Sequence, residues 1–202
     1  MTKDPPDPAQ PIRSWSWASS LTLFAIATVG EFLGLFYWRK LFGWGQIVGA
    51  TLVLWGGFLV ERAVVIVWLQ LPRQVKDPFG DRRPLWFVIL LVTVAEIVTW
   101  VVWIGWSGSF ALGVVLLAIG IHVVHAYEVA VIRRSGFASA AADIGTIGLT
   151  ALEAGSAAFW LYWTVRGRPL LGAAALLAGL LAEHTLQVAA LKKKQDAAGQ
   201  GT

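Results

Sequence analysis

Cysteine is absent from this 202-residue chain, so it builds no disulfide framework, no iron–sulfur cluster and no thiolate metal site. Charge is scarce as well. Only 14% of the residues are Asp, Glu, Lys or Arg, and 57% are apolar, where soluble domains carry about 25% charged and about 45–50% apolar residues. Mean hydropathy is +0.66, and the chain is expected to lie in a bilayer. Three histidines are too few for the His-box set of a membrane desaturase. There is no G-x-x-x-x-G-K-[ST], H-E-x-x-H or G-x-S-x-G motif, and no intramembrane Lys is placed to carry retinal. The pI near 9.7 does not signal nucleic acid, because the basic residues are scattered at the ends of apolar runs and form no stripe with interleaved aromatics. A signal peptide is not evident either. Residues 1–14 are rich in Pro and Asp, and the first apolar stretch is too long for an h-region and lacks a small-residue cleavage site, so it is expected to be retained as a span.

What is present divides by acid type. All six Asp (Asp4, Asp7, Asp77, Asp81, Asp143 and Asp196) lie in polar segments, and all six Glu lie inside apolar ones. About 20 residues cross a hydrocarbon core, and six runs meet that length: 15–38, 44–71, 85–106, 110–132, 145–165 and 169–191. The fold class expected is an all-α integral membrane protein of six transmembrane helices. A polar tail at 1–14 precedes the membrane domain at 15–191, and a basic tail at 192–202 follows it. With six spans both termini share a face. That face collects Lys3, Arg13, Arg73, Lys76, Arg82, Arg83, Arg133, Arg134 and Lys192 to Lys194, against Arg39, Lys40, Arg166 and Arg168 on the other. The positive-inside bias makes the richer face cytoplasmic, with the chain in the plasma (inner) membrane. The twelve Trp read mostly as interfacial anchors: Trp15, Trp17, Trp68 and Trp86 toward one interface, Trp38, Trp44, Trp100, Trp103 and Trp106 toward the other.

Self-comparison suggests three tandem helical hairpins. Glu31 to Glu61 and Glu153 to Glu183 are both 30 residues apart, and the middle hairpin runs from Glu96 to the neighbourhood of His125. Gly57 and Gly179 each precede a Glu by four, and Gly120 precedes Val124 by four. On that register Arg62, His125 and His184 are equivalent, as are Val65, Glu128 and Gln187. Parallel repeats of this kind gather equivalent polar positions near midplane.

Depth agrees. Glu61 stands ten residues before Leu71 and Glu96 ten before Trp106, which places both about 15 Å from a face at 1.5 Å per residue. Glu31, Glu153 and Glu183 fall at similar depth, whereas Glu128, five residues before Arg133, lies nearer the cytoplasmic interface. His125 and His184 are each eight residues from the basic residue that ends their run. His122, His125 and Glu128 share one helix face, and Glu183, His184 and Gln187 another. Six unpaired ionised carboxylates would cost on the order of 15–20 kcal/mol, more than a typical folding stability of about 5–15 kcal/mol. They must be protonated, paired with Arg62, neutralised by bound cations or hydrated.

Three functions meet that requirement. The first is an intramembrane centre holding a divalent metal pair (Fe, Mn or Zn) for redox or hydrolytic chemistry on a membrane-soluble substrate, since inward-facing Glu and His from facing helices form the di-iron and di-manganese ligand set. Its expected ligands are His125, His184, Glu61, Glu183, Glu96 and Glu153, with Glu31, His122, Glu128, Gln187 and Arg62 as further candidates. A variant is haem b held between His125 and His184, which leaves the glutamates unexplained. The second is a proton- or cation-coupled transporter or channel. The third is a membrane-embedded subunit of a larger complex, whose polar pairs set helix register against protein partners.

Overall fold

The computed structural model describes residues 15–199 apart from 70, 72, 107 and 108; side chains are described over the same range except at 69, 102–106 and 190–199. The expected tail at 1–14 lies outside the described residues. Seven helices and one short antiparallel ribbon are seen among them: α1 (Trp17–Gly43), α2 (Ile47–Leu69), β1 (Gln74–Lys76), β2 (Arg82–Pro84), α3 (Leu85–Trp106), α4 (Phe110–Arg133), α5 (Phe137–Ala141), α6 (Ile144–Val165) and α7 (Pro169–Gly199). Five stretches are long and apolar enough to cross a membrane: Trp17–Gly43, Ile47–Trp68, Phe110–Arg133, Ile144–Val165 and Pro169–Ala189. Within α3 the described apolar stretch, Leu85–Val101, is shorter. Helix α7 runs on without a break through the basic segment that begins at Lys192.

Local chemistry sets the helix ends. Ser16 caps α1 by accepting from Ser19 N–H, and Ser109 caps α4 by accepting from Leu112 N–H, each satisfying a donor the helix leaves orphaned. Gly45 and Gly167 take left-handed φ values of 75° and 74°, which lets α1 turn into α2 and α6 into α7 within a few residues. Short turns force consecutive helices to pack on each other. Packing contacts run from α1 to α2, α2 to α3, α3 to α4, α4 to α6 and α6 to α7, and α7 returns to α1. The six long helices therefore close a ring in chain order, and the thinnest seam of that ring lies between α2 and α3.

The outer surface is apolar. Ile26, Val48, Leu52, Val98, Ile119 and Leu186 are all exposed, as suits helices that face lipid rather than water. Inside, small residues bring the helices together. A Cβ added to Gly57 would lie 2.9 Å from Gly34 Cα, one on Gly120 2.3 Å from Thr99 Cγ2, and one on Gly179 2.2 Å from Ser156 Cβ. Three tryptophans expected at the interfaces are interior instead: Trp38, Trp68 and Trp100 are at most 1% exposed. Trp68 Nε1 donates to Ser20 Oγ at 2.9 Å, and Trp38 and Trp100 meet edge to face at 6.0 Å. An indole whose N–H has a partner, or whose ring has another ring to lean on, gains more from close packing than from the interface. Trp17, Trp44 and Trp86 do lie exposed. The side chains of Trp103 and Trp106 are outside those described.

The ribbon between α2 and α3 was not foreseen. It pairs Val75 with Arg83, and Asp77 holds its turn by accepting from the N–H groups of Phe79 (2.9 Å) and Asp81 (3.1 Å). Val75 packs on Val88, Val92, Val124 and Val131, so the ribbon covers that end of the bundle. At the same end Asp143 caps α6 through Thr146 N–H (3.2 Å) and accepts from Arg133 Nη1 at 2.8 Å. The Arg133 guanidinium holds the Asp143 carboxyl below its ordinary range.

Two outcomes are expected. Gly57→Ala and Gly179→Ala meet atoms fixed to a neighbouring backbone and should lower stability by about 1–3 kcal/mol, read as thermal unfolding in detergent. Gly120→Ala, which meets Thr99 Cβ at 2.9 Å as well as both of its branches, should cost a similar amount. For Asp143 the native pKa is below the unfolded one, so its contribution is present above about pH 4 and is lost as pH falls through the native value. The stability difference between wild type and Asp143→Asn should therefore vanish on acidification, and a constant difference from pH 7 to pH 3 would refute that assignment.

Candidate metal centre

Each of the six long helices contributes one glutamate: Glu31 from α1, Glu61 from α2, Glu96 from α3, Glu128 from α4, Glu153 from α6 and Glu183 from α7. Five are buried and Glu128 is partly so. Arg62, His125 and His184 are buried among them. The polar interior expected from the sequence is therefore assembled by ring closure.

Arg62 is the hub of one side. Its Nη1 pairs with Glu61, its Nη2 with Glu96 on α3, and its Nε lies 3.0 Å from Glu128 Oε1 on α4. A fixed planar cation thus ties three helices together. Even so, one guanidinium cannot balance six carboxylates.

The histidines occupy the other side. His125 Nε2 lies 3.2 Å from Glu153 Oε2 and 3.4 Å from Glu183 Oε1, while His184 Nε2 lies 3.6 Å from Glu31 Oε2. Their Nδ1 atoms face threonines: His184 Nδ1 is 2.7 Å from Thr28 Oγ1, and His125 Nδ1 is 3.3 Å from Thr150 Oγ1. His122 Nδ1 shares Thr150 at 3.1 Å and meets no carboxylate among the described residues.

Hydrogen counting then assigns the ring protons. Thr28 Oγ1 donates to Phe24 O at 2.8 Å and Thr150 Oγ1 donates to Thr146 O at 2.9 Å. A hydroxyl has one hydrogen and a carbonyl can only accept, so each Oγ1 must accept from the imidazole. The proton sits on Nδ1 of His125 and of His184. In the neutral ring Nε2 is then a bare lone pair aimed at carboxylate oxygens. Acceptor facing acceptor is repulsive unless something lies between them: a second proton on the imidazole, a proton on the carboxyl, or a metal ion.

Two groups of donor atoms gather tightly enough to hold an ion, each with its atoms within 4.8 Å of one another: His125, Glu153 and Glu183; and Glu31, Glu96 and Glu153. Glu153 belongs to both. Metal–ligand bonds of about 2.0–2.2 Å set neighbouring donors of a tetrahedron roughly 3.3–3.6 Å apart, close to the 3.2 and 3.4 Å that separate His125 Nε2 from Glu153 and Glu183. Buried oxygen capacity is also left over, since Glu153 Oε1 and Glu183 Oε2 have no hydrogen-bond partner. Glu183 Oε1 is steadied by Gln187 Nε2 at 3.1 Å. The expected residues thus separate: Glu61 and Glu128 turn to Arg62, His184 faces Glu31 alone, and His122 stands aside.

A cavity of about 140 Å³ opens beside the centre, walled by Val65, Ile66, Val88 and Val92 and reaching Glu61, Arg62, His125, Glu128 and Gln187. It is far smaller than the about 300–1,000 Å³ typical of pockets for large cofactors and drug-sized ligands.

Sequence reasoning missed the threonines. The signal was available: Thr28-x-x-Glu31, Thr93-x-x-Glu96 and Thr150-x-x-Glu153 have one spacing, and Trp38, Trp103 and Trp160 each follow the Glu by seven. Thr93 Oγ1, the third member, is buried without a hydrogen-bond partner. No protein-family model, curated protein or solved structure matches this chain.

The tautomer assignment is testable directly. Nitrogen-15 spectra of histidine-labelled protein should show His184 protonated at Nδ1, a state kept by Thr28→Ser and released by Thr28→Val. Protonation of His184 at Nε2 alone in wild type would reverse the assignment.

Proposed function

We propose that this chain is a six-span membrane protein built of three tandem hairpins, which holds a pair of divalent metal ions and uses them for redox or hydrolytic chemistry on a membrane-soluble substrate. One observation carries the reading: the Nε2 lone pair of His125 faces Glu153 and Glu183, and Glu153 is shared with a second donor group, Glu31 and Glu96. In this reading His125, Glu153 and Glu183 hold one ion, while Glu31, Glu96 and the shared Glu153 hold the other. Thr150, accepting from His125 Nδ1, fixes that ligand's orientation from behind. His184 and Glu61 stand at the edges, His184 beside Glu31 and Glu61 on Arg62. An oxygen-rich set with imidazole suits iron or manganese, and zinc where a tetrahedral site is kept. When bound, such a pair polarises a substrate oxygen or activates water.

The hairpin repeat is supported by equivalent contacts. Arg62 pairs with Glu96, His125 with Glu153 and His184 with Glu31, so each hairpin's basic residue meets the glutamate of the next. Gly57, Gly120 and Gly179 abut Gly34, Thr99 and Ser156, each of which stands three residues after its glutamate. On this repeat α3 completes a sixth span, both termini share a face, and the excess of Lys and Arg there makes that face cytoplasmic in the plasma membrane.

Haem b is disfavoured, since both Nε2 atoms face carboxylates and the cavity is too small for a macrocycle. A proton- or cation-coupled transporter is the second reading, favoured by the cavity that reaches Glu61 and Glu128 from one end of the bundle. A subunit role rests on no contact seen here.

Metal analysis of the purified chain decides the matter. Two divalent ions per chain are expected, falling to one in His125→Ala and to none in Glu153→Gln. A folded, metal-free wild type after growth and repurification with Fe, Mn and Zn would sink the reading. Cation flux in liposomes, abolished by Glu61→Gln, would then establish the transporter.

A further inference from the structure

The cavity beside the centre is a site in its own right, since its polar floor is made chiefly of residues outside both donor groups. Glu61 and Glu128 reach into it together with Arg62, and neither carboxylate belongs to a donor group able to hold a metal. Glu128 has the most exposed side chain among the ion-paired glutamates, at 23% against 10% or less for Glu61, Glu96, Glu153, Glu183 and Glu31. Arg62 is already engaged by three carboxylates, Glu61, Glu96 and Glu128, whose negative charge opposes an anionic head group. Arg133 also lines the cavity, but its guanidinium is held by Asp143 at 2.8 Å, and His125 faces Glu153 and Glu183, so with Glu61 and Glu128 ionised the shared guanidinium of Arg62 leaves the floor short of positive charge.

The walls state the rest of the chemistry. Val65, Ile66, Val88, Ile89 and Val92 wall the cavity, and they come from α2 and α3, the two neighbours with the thinnest contact in the ring among the described residues. A ligand arriving from the bilayer would pass between them. A volume of about 140 Å³ resembles cavities that take a molecule the size of benzene, enough for a small head and a few methylenes but not for a whole lipid. The remaining chain would trail out through the seam. Tyr127, also at the cavity, supplies a ring face of the kind that attracts ammonium groups.

We propose that this cavity binds a singly charged cationic amphiphile, an alkylamine or small alkylammonium, with its head between Glu128 and Glu61 and its chain leaving between α2 and α3. A cation supplies the missing charge, a neutral alcohol does not, and a carboxylate or phosphate adds to the excess. This inference does not depend on metal binding. It names a ligand for the cavity whichever reading of the centre holds.

The test uses the full chain in nanodiscs of neutral phospholipid, titrated by calorimetry with decylammonium, decanol and decanoate, with empty nanodiscs subtracted. Decylammonium should bind saturably at one per chain, at least tenfold more tightly than either of the others. Glu128→Gln should weaken it about tenfold, and Val92→Trp, which fills the cavity from an apolar wall, should remove saturable binding. Equal or tighter binding of decanol or decanoate, no saturable decylammonium binding, or unchanged affinity in either variant would overturn the proposal. Metal content measured on the same wild-type preparation separates the two ideas: decylammonium binding without metal defeats the metal centre alone, and metal without decylammonium binding defeats this site alone.

Discussion

Compensating carboxylate charge in an apolar interior is the constraint on which the rest of this structure depends. Each buried charge costs about 2.5–3.5 kcal/mol even on the gentlest scales, and six of them together rival the stability of a whole domain. The architecture answers by bringing the carboxylates to one place, where a single cation can serve several of them. Arg62 does this for Glu61, Glu96 and Glu128 across three helices. Had the glutamates been distributed around the outer face, each would have needed its own partner or its own proton.

Ring closure follows from the same demand. A helix with lipid on most of its circumference and one carboxylate on its inner edge can satisfy that edge only if other helices surround it. Short turns at Gly45 and Gly167 keep neighbours in contact, and the α7–α1 contact closes the circle. The glycines at 57, 120 and 179 then let paired helices approach closely enough for side chains to meet across the centre. Small residues at helix contacts and polar residues within are the two devices by which helices associate in a medium that offers no hydrophobic drive.

Much of this was legible in the sequence, for a definable reason. Offsets along a helix convert directly into depth, so the common level of Glu31, Glu61, Glu96, Glu153 and Glu183 could be read from residue numbers alone. The partners could not. Which carboxylate meets which base depends on the order of helices around the ring, and the decisive contacts join α2 to α3 through Arg62 and Glu96, α4 to α6 through His125 and Glu153, and α7 to α1 through His184 and Glu31. Glu128, five residues from the end of its helix, read as an interfacial group and instead reaches Arg62. Threonine escaped notice because in an apolar helix its hydroxyl is normally absorbed by the carbonyl four residues back. Thr28 and Thr150 do bond that way, and it is this commitment of the hydroxyl hydrogen that leaves the oxygen free to orient a histidine. Trp38, Trp68 and Trp100 were misplaced because a tryptophan near the end of an apolar run satisfies the pattern for an anchor and for a packed core equally well.

On the proposed repeat, Arg62, His125 and His184 hold corresponding stations, and the difference between them is chemical rather than positional. A guanidinium is charged at every accessible pH, so the Arg62 station holds a permanent positive charge against Glu61, Glu96 and Glu128. An imidazole whose Nδ1 proton is committed to a threonine carries no charge of its own. A second proton on Nε2, a proton on the carboxyl opposite or, on the proposed reading, a metal ion lies between Nε2 and that carboxylate, and each of these can be exchanged. One third of the interior therefore carries a fixed charge, while in the other two thirds what lies between imidazole and carboxylate can change. The cavity reaches Arg62, Glu128 and His125, whereas His184 is not among its lining residues. A ligand there would meet the fixed charge of Arg62 and the imidazole of His125 together.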